Sequence, residues 1–555
     1  MEFTGTGIGQ GVAVGPTVRM PEPLPEPDDV PSTRSAAEEA ERASASMSAV
    51  ARDLQQRGET AGGTAGDVLE AQAMMAEDPS LSELVTQATG SGKTAERAVF
   101  EAFASFRDQL AAMGGYLGER AADLDDVSQR VIAHLRGVAA PGVPQPDEPF
   151  VLVARDLAPA DTALLDLDKV LALVTSDGGP TSHTAILARE KSIVAIVGTA
   201  DALTIGDGTQ VVVDAAAGTV TTDPSAEAIA DAEARIAQRR EAASAPLTPG
   251  ALADGTPVPL LANLGSGDAA ASAVELGAEG VGLFRTEFLF LDAGSTAPSV
   301  EEQTQHYVRV LEAFAGKKVT VRVLDAGADK PLPFLNDAPE ENPALGLRGL
   351  RALRASENIL RDQLTALAAA DAQTDADLWV MAPMVSTLEE TEYFVTRAHE
   401  FGLKTAGIMV EVPSIALLAK PALAASDFAS IGTNDLTQYT LAADRLLGTV
   451  ASFQDPWHPA VLRLISEVGQ AGAESGKPVG ICGEAAADPL LAVVLVGLGA
   501  TTLSMSPSAL ADVRLSLARF DSNAAQRLAS IALDAHDAAS ARSAVTDAAP
   551  SLQKE

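Results

Sequence analysis

From Ala251 onward one pattern recurs eight times, a run of five to seven β-forming residues followed by a helical stretch. The runs are Val258–Asn263, Gly280–Arg285, Val319–Leu324, Leu378–Met384, Ala406–Glu411, Phe428–Asn434, Pro478–Cys482 and Thr501–Met505. A parallel strand reaches its neighbour only through a crossover, so eight such units over roughly 250 residues predict a closed (β/α)8 barrel, with 251–555 as its domain.

Ahead of the barrel the texture changes twice. Residues 1–20 carry a glycine-rich pattern around Gly7–Pro16, read as one strand leaving a domain, and a proline-rich stretch follows to Pro31. From Ser32 to Gly137 the chain is rich in Ala, Glu, Gln, Arg and Leu at helical spacing, which predicts a bundle occupying 32–137. Within it Ala95–Met113 and Leu117–Leu135 form a hairpin broken at Gly114–Gly115. Short β-rich runs then alternate with short helices at Phe150–Ala154, Val170–Thr175, Ile193–Val197 and Gln210–Asp214. The simplest organisation is an α/β domain made of 1–20 and 141–225, with the helical bundle inserted into it. A charged helix, Ala226–Ala243, lies in a linker, 226–250, that leads to the barrel.

Composition excludes several partners. With 39 Lys and Arg against 76 Asp and Glu, the net charge of -37 repels nucleic acid and anionic lipid. The longest apolar run, Leu490–Ala500, is too short to span a bilayer. A single cysteine, Cys482, allows no internal disulfide, and the start lacks the regions of a signal peptide, so the expected compartment is the cytoplasm. A chain this acidic that handles an anionic substrate must gather arginines, or a metal, where that substrate sits.

In a parallel barrel the active site lies where the strands end. Those positions are polar here: Arg285, Arg322, Glu411, Asn434, Asp435 and Cys482, with Arg445 in the loop after the sixth strand. Two carboxylates from neighbouring strands, Glu411 and Asp435, suit Mg²⁺ when water and phosphate complete its shell. Three arginines at one mouth, Arg285, Arg322 and Arg445, suit a small phosphocarboxylate, because the guanidinium fork matches its oxygens. Singly each would read as a loop cap or a partner for Glu or Asp; together, on successive strand ends, they read as a site. Cys482 by position alone is equally well a small buried hydrophobe. Outside the barrel, Gly178-Gly179-Pro180-Thr181-Ser182-His183 follows an apolar strand and opens a helix. Free N–H groups there favour a phosphate on His183, and a neutral imidazole is a competent nucleophile toward phosphorus. The other histidines carry no such loop and read as structural.

These segments together resemble enzyme I of the bacterial phosphoenolpyruvate-dependent sugar phosphotransferase system over nearly the whole chain. The Gly-Gly-x-Thr-Ser-His segment is similar to that family's phosphohistidine site. The stretch Asp427–Asp444, containing Ile431-Gly432-Thr433-Asn434-Asp435-Leu436-Thr437-Gln438-Tyr439-Thr440, is similar to its barrel signature. The resemblance implies that His183 is phosphorylated, that Arg285, Arg322, Asn434, Asp435 and Arg445 contact phosphoenolpyruvate, that Glu411 and Asp435 hold Mg²⁺, and that Cys482 donates a proton. It also implies that the helical insertion docks the phosphocarrier protein HPr and that the barrel forms a homodimer. One element departs from the family, which often carries Asp-Leu-Thr-Pro near the active histidine where this chain has Asp156-Leu157-Ala158-Pro159.

Two other readings compete. The dikinases and phosphoenolpyruvate synthases share both segments but need an ATP-binding domain, and the inserted unit here is helical with no glycine-rich nucleotide loop. An idle scaffold has no use for the full set of His183, Glu411, Asp435, Cys482 and the arginines.

Overall fold

The structure is a computed structural model. It describes the chain except for residues 10, 22–23, 62, 114–120, 139–141, 145, 158–164, 180–181, 183, 186, 189–192, 245–246, 292, 295, 328–331, 336–339, 446–449, 451–452 and 554–555. The chain divides into two compact units, Met1–Ala237 and Gln238–Glu555.

The first unit is built on a sheet of eight strands: β1 (Glu2–Thr4), β2 (Thr6–Ile8), β3 (Val12–Arg19), β4 (Phe150–Ala154), β5 (Val170–Thr175), β6 (Val194–Val197), β7 (Gln210–Asp214) and β8 (Thr219–Thr222). Their spatial order is β1-β8-β7-β3-β4-β5-β6-β2. The central strands β3, β4, β5 and β6 run parallel, and the flanking pairs are antiparallel. Strand β4 is buried along its whole length, which is why it reads as one unbroken apolar run. The first 20 residues form three strands and not the single strand expected. Glycine is a poor strand former, so the segment's β character is muted in the sequence. The structure needs it nonetheless, since a Cβ on Gly7 would lie 1.7 Å from the Ala215 carbonyl oxygen.

Between β3 and β4 come α1 (Ala36–Ala61), α2 (Gly63–Ala76), α3 (Pro79–Gly90), α4 (Ala95–Met113) and α5 (Ala121–Arg136). They enclose their own core around Leu54, Leu69, Leu81, Phe103 and Leu124. The buried Glu39 carboxylate ties the start of α1 to that of α4, accepting from Ser32 Oγ at 2.6 Å and from the Ala95 amide at 3.0 Å, with Arg42 as its counter-ion. The hairpin expected around Gly114–Gly115 turns outside the described residues. The connecting helix α6 spans Ala226–Ser244.

The second unit is a closed parallel barrel. Its strands are β9 (Leu260–Leu264), β10 (Val281–Arg285), β11 (Lys318–Arg322), β12 (Asp377–Ala382), β13 (Thr405–Val410), β14 (Ala429–Gly432), β15 (Val479–Cys482) and β16 (Thr502–Met505). Each pairs with the next, and β16 closes on β9 with Leu503 opposite Leu260. Leu283, Met381, Met409, Phe428 and Cys482 fill the interior. Toward its base the Lys318 ammonium sits 3.6 Å from the centre of the Trp379 ring and 5.5 Å from that of Phe428. The outer helices start on local signals: Ser299 with Glu302, and Thr387 with Glu390, form reciprocal capping boxes. Among the described residues no helix is long and apolar enough to cross a membrane.

Candidate active site

Seven of the predicted residues, Arg285, Arg322, Glu411, Asn434, Asp435, Arg445 and Cys482, line one cavity of about 270 Å³ at the barrel mouth. Arg285, Arg322 and Cys482 are the last residues of β10, β11 and β15, and Glu411 directly follows β13. Asn434 and Asp435 lie in the first turn of the helix Thr433–Leu441 and not in the strand itself, which ends at Gly432. Gly483 lets the β15 loop approach that turn: its φ is +117°, and a Cβ there would lie 2.6 Å from Thr433 Oγ1. The Glu484 amide then donates to Asn434 Oδ1 at 3.2 Å.

The arginines are not equivalent. Arg322 is buried, with its Nη2 bonded to Glu287 Oε1, its Nη1 3.1 Å from Asp325 Oδ2 and 3.6 Å from the Met409 sulfur. Burial alone would lower its pKa; the charges of Glu287 and Asp325 outweigh that and raise it, so the guanidinium is permanently charged. From behind, Gln363 steadies the segment by accepting from the Leu324 amide at 3.0 Å and donating to Thr286 Oγ1 at 3.2 Å, whose hydroxyl donates to the Arg322 carbonyl at 3.1 Å. Arg445 reaches Asp435 Oδ2 at 3.7 Å. Arg285 makes no ion pair among the described residues, and its guanidinium faces the cavity beside the Phe288 ring, 5.9 Å away. That fork is available to an incoming anion.

The two carboxylates expected to hold Mg²⁺ pass a test on their own surroundings. Glu411 is 1% exposed, and its Oε1 accepts from the Met384 amide at 2.6 Å. Burial, followed by repulsion from Asp435 and Asp325, pushes its pKa up to about 8. Among the described residues the buried Asp435 Oδ1 has no hydrogen-bond donor. A bound divalent cation would answer both the crowding of negative charge and the unserved oxygen.

Cys482 is 1% exposed, and its Sγ donates to the Ile431 carbonyl and accepts from Ser430 Oγ, each at 3.4 Å. Burial pushes its pKa up to about 11. It is therefore a protonated thiol at neutral pH.

His183 lies outside the described residues, as does Ala158. Their neighbours are described. Thr184 is buried and donates to Asp156 Oδ1 at 2.8 Å; the Leu157 amide donates to the same oxygen at 2.9 Å. Ser182 Oγ accepts from the Ala185 amide at 3.3 Å, in the manner of a helix cap. The segment after β4 and the segment bearing His183 are thus joined through Asp156.

Sequence reasoning missed Glu287, Asp325 and Arg348, which take part in four of the five ion pairs described at the mouth. For two of them a signal existed: Glu287 follows Arg285 by two residues and Asp325 follows Arg322 by three, so each strand-end arginine is trailed by a carboxylate.

Three domain families match the chain in succession: PEP-utilising enzyme N-terminal over residues 4–120, mobile domain over 146–218, and PEP-binding domain over 239–522. A phosphoenolpyruvate-protein phosphotransferase of Streptomyces coelicolor is 52% identical over 98% of this chain and 99% of its own length. The chain belongs to the phosphoenolpyruvate-protein phosphotransferase family. The Bacillus subtilis phosphoenolpyruvate-protein phosphotransferase is 40% identical over 83% of this chain and 84% of its own. Among solved structures, an Enzyme I protein studied in solution matches 43% of this chain and 99% of its own at 28% identity, with a TM-score of 0.38. As a member of this phosphotransferase family the chain is an enzyme, and its barrel coincides with the family's PEP-binding domain.

Proposed function

We propose that phosphoenolpyruvate binds in the barrel mouth, that His183 takes its phosphoryl group, and that the group then passes to the phosphocarrier protein HPr as the first step of sugar uptake. The observation that carries the reading is the convergence of free and paired arginines, two crowded carboxylates and a protonated thiol on one cavity. Arg285, with Arg322, Arg445 and Asn434, binds the phosphate and carboxylate oxygens. Glu411 and Asp435 hold Mg²⁺, which supplies charge neutralisation on the transferring phosphoryl group.

The bond from phosphorus to the enol oxygen breaks as one from phosphorus to an imidazole nitrogen of His183 forms. The leaving enolate of pyruvate takes a proton at carbon from the Cys482 thiol, and solvent returns one to the thiolate. A thiol held near 11 keeps its proton until a strong carbon base appears. Because His183 belongs to the α/β domain (1–20 and 141–225) and must serve both the barrel (251–555) and HPr, that domain swings on the linker 226–250. HPr docks on the helices of 32–137, the barrel forms a homodimer, and the protein works in the cytoplasm.

The test is incubation with ³²P-labelled phosphoenolpyruvate and Mg²⁺, for wild type and His183→Ala, followed by HPr. Acid-labile label on wild type alone, passing to HPr, is the expected result. Label that survives the substitution, or none without ATP, overturns the reading.

A further inference from the structure

Arg348 lies in the barrel mouth, 3% exposed, with no role so far. Its side chain is engaged throughout. Nη2 and Nε reach the two oxygens of Asp325 at 3.0 and 3.4 Å, and Nη1 stands 3.3 Å from Tyr439 OH and 3.6 Å from Asp435 Oδ1. Asp325 Oδ2 in turn forms an ion pair with Arg322 Nη1 at 3.1 Å. Tyr439 is itself anchored, its hydroxyl donating to the Ala344 carbonyl. Arg348 therefore links one of the two carboxylates assigned to the metal with the buried arginine on β11. The backbone around it has little room to shift: a Cβ on Gly327 would lie 2.5 Å from Arg348 Cβ, and one on Gly349, at φ +58°, 2.8 Å from Met384 Cβ. Met384 is the residue whose amide holds Glu411.

We propose that Arg348 is a positioning residue for phosphoryl transfer: its guanidinium aims Asp435 and, through Asp325, Arg322, and it touches no substrate atom. The inference rests on the functional reading above. Charge counting supports it. Among the described residues Arg348 is one of two arginines paired with Asp325 and one of two paired with Asp435, so removing it weakens the charge compensation of both buried carboxylates at once. A substrate clamp needs an open fork, as Arg285 has, whereas the fork of Arg348 is taken up by protein.

The experiment uses the full chain with Arg348→Lys and Arg348→Met. The readouts are steady-state transfer from phosphoenolpyruvate, thermal unfolding, and Mn²⁺ binding followed by electron paramagnetic resonance without substrate. A positioning charge predicts that Met lowers kcat about 100-fold with KM within about threefold, that Lys recovers to within about tenfold of wild type, and that Mn²⁺ affinity shifts about threefold or more with Met and returns with Lys. A KM raised about tenfold at unchanged kcat would make Arg348 a substrate clamp and overturn the proposal. So would Met performing as well as Lys, or unaltered Mn²⁺ binding in both. If the Met variant does not fold, Tyr439→Phe keeps every charge and removes the neutral partner; it is expected to lower kcat about threefold with KM unchanged, and no change overturns the proposal. A wild type that transfers nothing refutes the functional reading, while the Mn²⁺ arm still reports on Arg348.

Discussion

The barrel mouth and the segment around His183 hold their functional groups by different means. At the mouth the buried ionic groups are fixed by charge: Arg322 by Glu287 and Asp325, Asp435 by Arg348 and Arg445. Around His183 the described contacts are hydrogen bonds without ion pairs, Thr184 to Asp156 and the Ala185 amide to Ser182. A group that must bind a multiply charged small molecule gains from a scaffold that does not reorganise when the charge arrives. A group that receives phosphoryl in one place and gives it up in another needs only a defined conformation of its segment, which a few hydrogen bonds supply.

The largest effect that tests this contrast is expected from Asp435→Asn. It removes one of the two carboxylates assigned to the metal and unbalances Arg348 and Arg445, so phosphorylation by phosphoenolpyruvate should fall about 1,000-fold or more, with the protein still folded by circular dichroism. Loss of under tenfold would mean that the mouth tolerates change as readily as the segment around His183 does. Thr184→Val is the counterpart on the other side. It breaks the bond to Asp156 while keeping the side chain's shape, and about 1 kcal/mol, or a roughly fivefold slower phosphorylation of His183, should follow. A loss as large as that of Asp435→Asn would erase the distinction.

The remaining effect, on stability and not on turnover, sets the barrel's base against its mouth. Burial lowers the Lys318 pKa from 10.5 to about 8, against the attraction of Asp377. An amine whose folded pKa is depressed penalises the fold while both states are charged, so stability should rise as pH climbs from about 8 to about 10.5. The ceiling is about 3 kcal/mol, and the faces of Trp379 and Phe428, which attract the charged form, reduce it. Denaturant titrations across that window should show the rise in wild type and its absence in Lys318→Met. Parallel curves would mean that the aromatic faces offset the burial in full.

How much of this was legible in the sequence follows the same division. The barrel strands were readable because residues buried on both faces leave unbroken apolar runs, as in Val479–Cys482, and because the barrel rule says where to look for polar residues. Arg348 was not. It belongs to no strand end and reaches the mouth by way of a loop that returns 23 residues after Asp325, a fold-back that no local spacing encodes. Glu287 and Asp325 stood in plain view beside their arginines but were assigned no role, since only the structure distinguishes a buried counter-ion from a solvated one. At the N-terminus the opposite happened: glycines that the sheet requires for close backbone contact, Gly7 above all, obscured two short strands.

One consequence of the sheet topology concerns engineering. Strand β3 pairs with β4 in parallel, Thr17 opposite Val151 and Arg19 opposite Val153, so the chain leaves at one end of the pair and must re-enter at the other. The five helices between them are thus also the bridge that makes the parallel pairing possible. Replacing them with a two-residue turn would force β4 to reverse and flip its faces, whereas a single linking helix of a dozen residues or so, the minimum such a crossover needs, would leave the pairing intact. A replacement for the helical cassette needs only to span the length of the strand pair, from the end of β3 back to the start of β4.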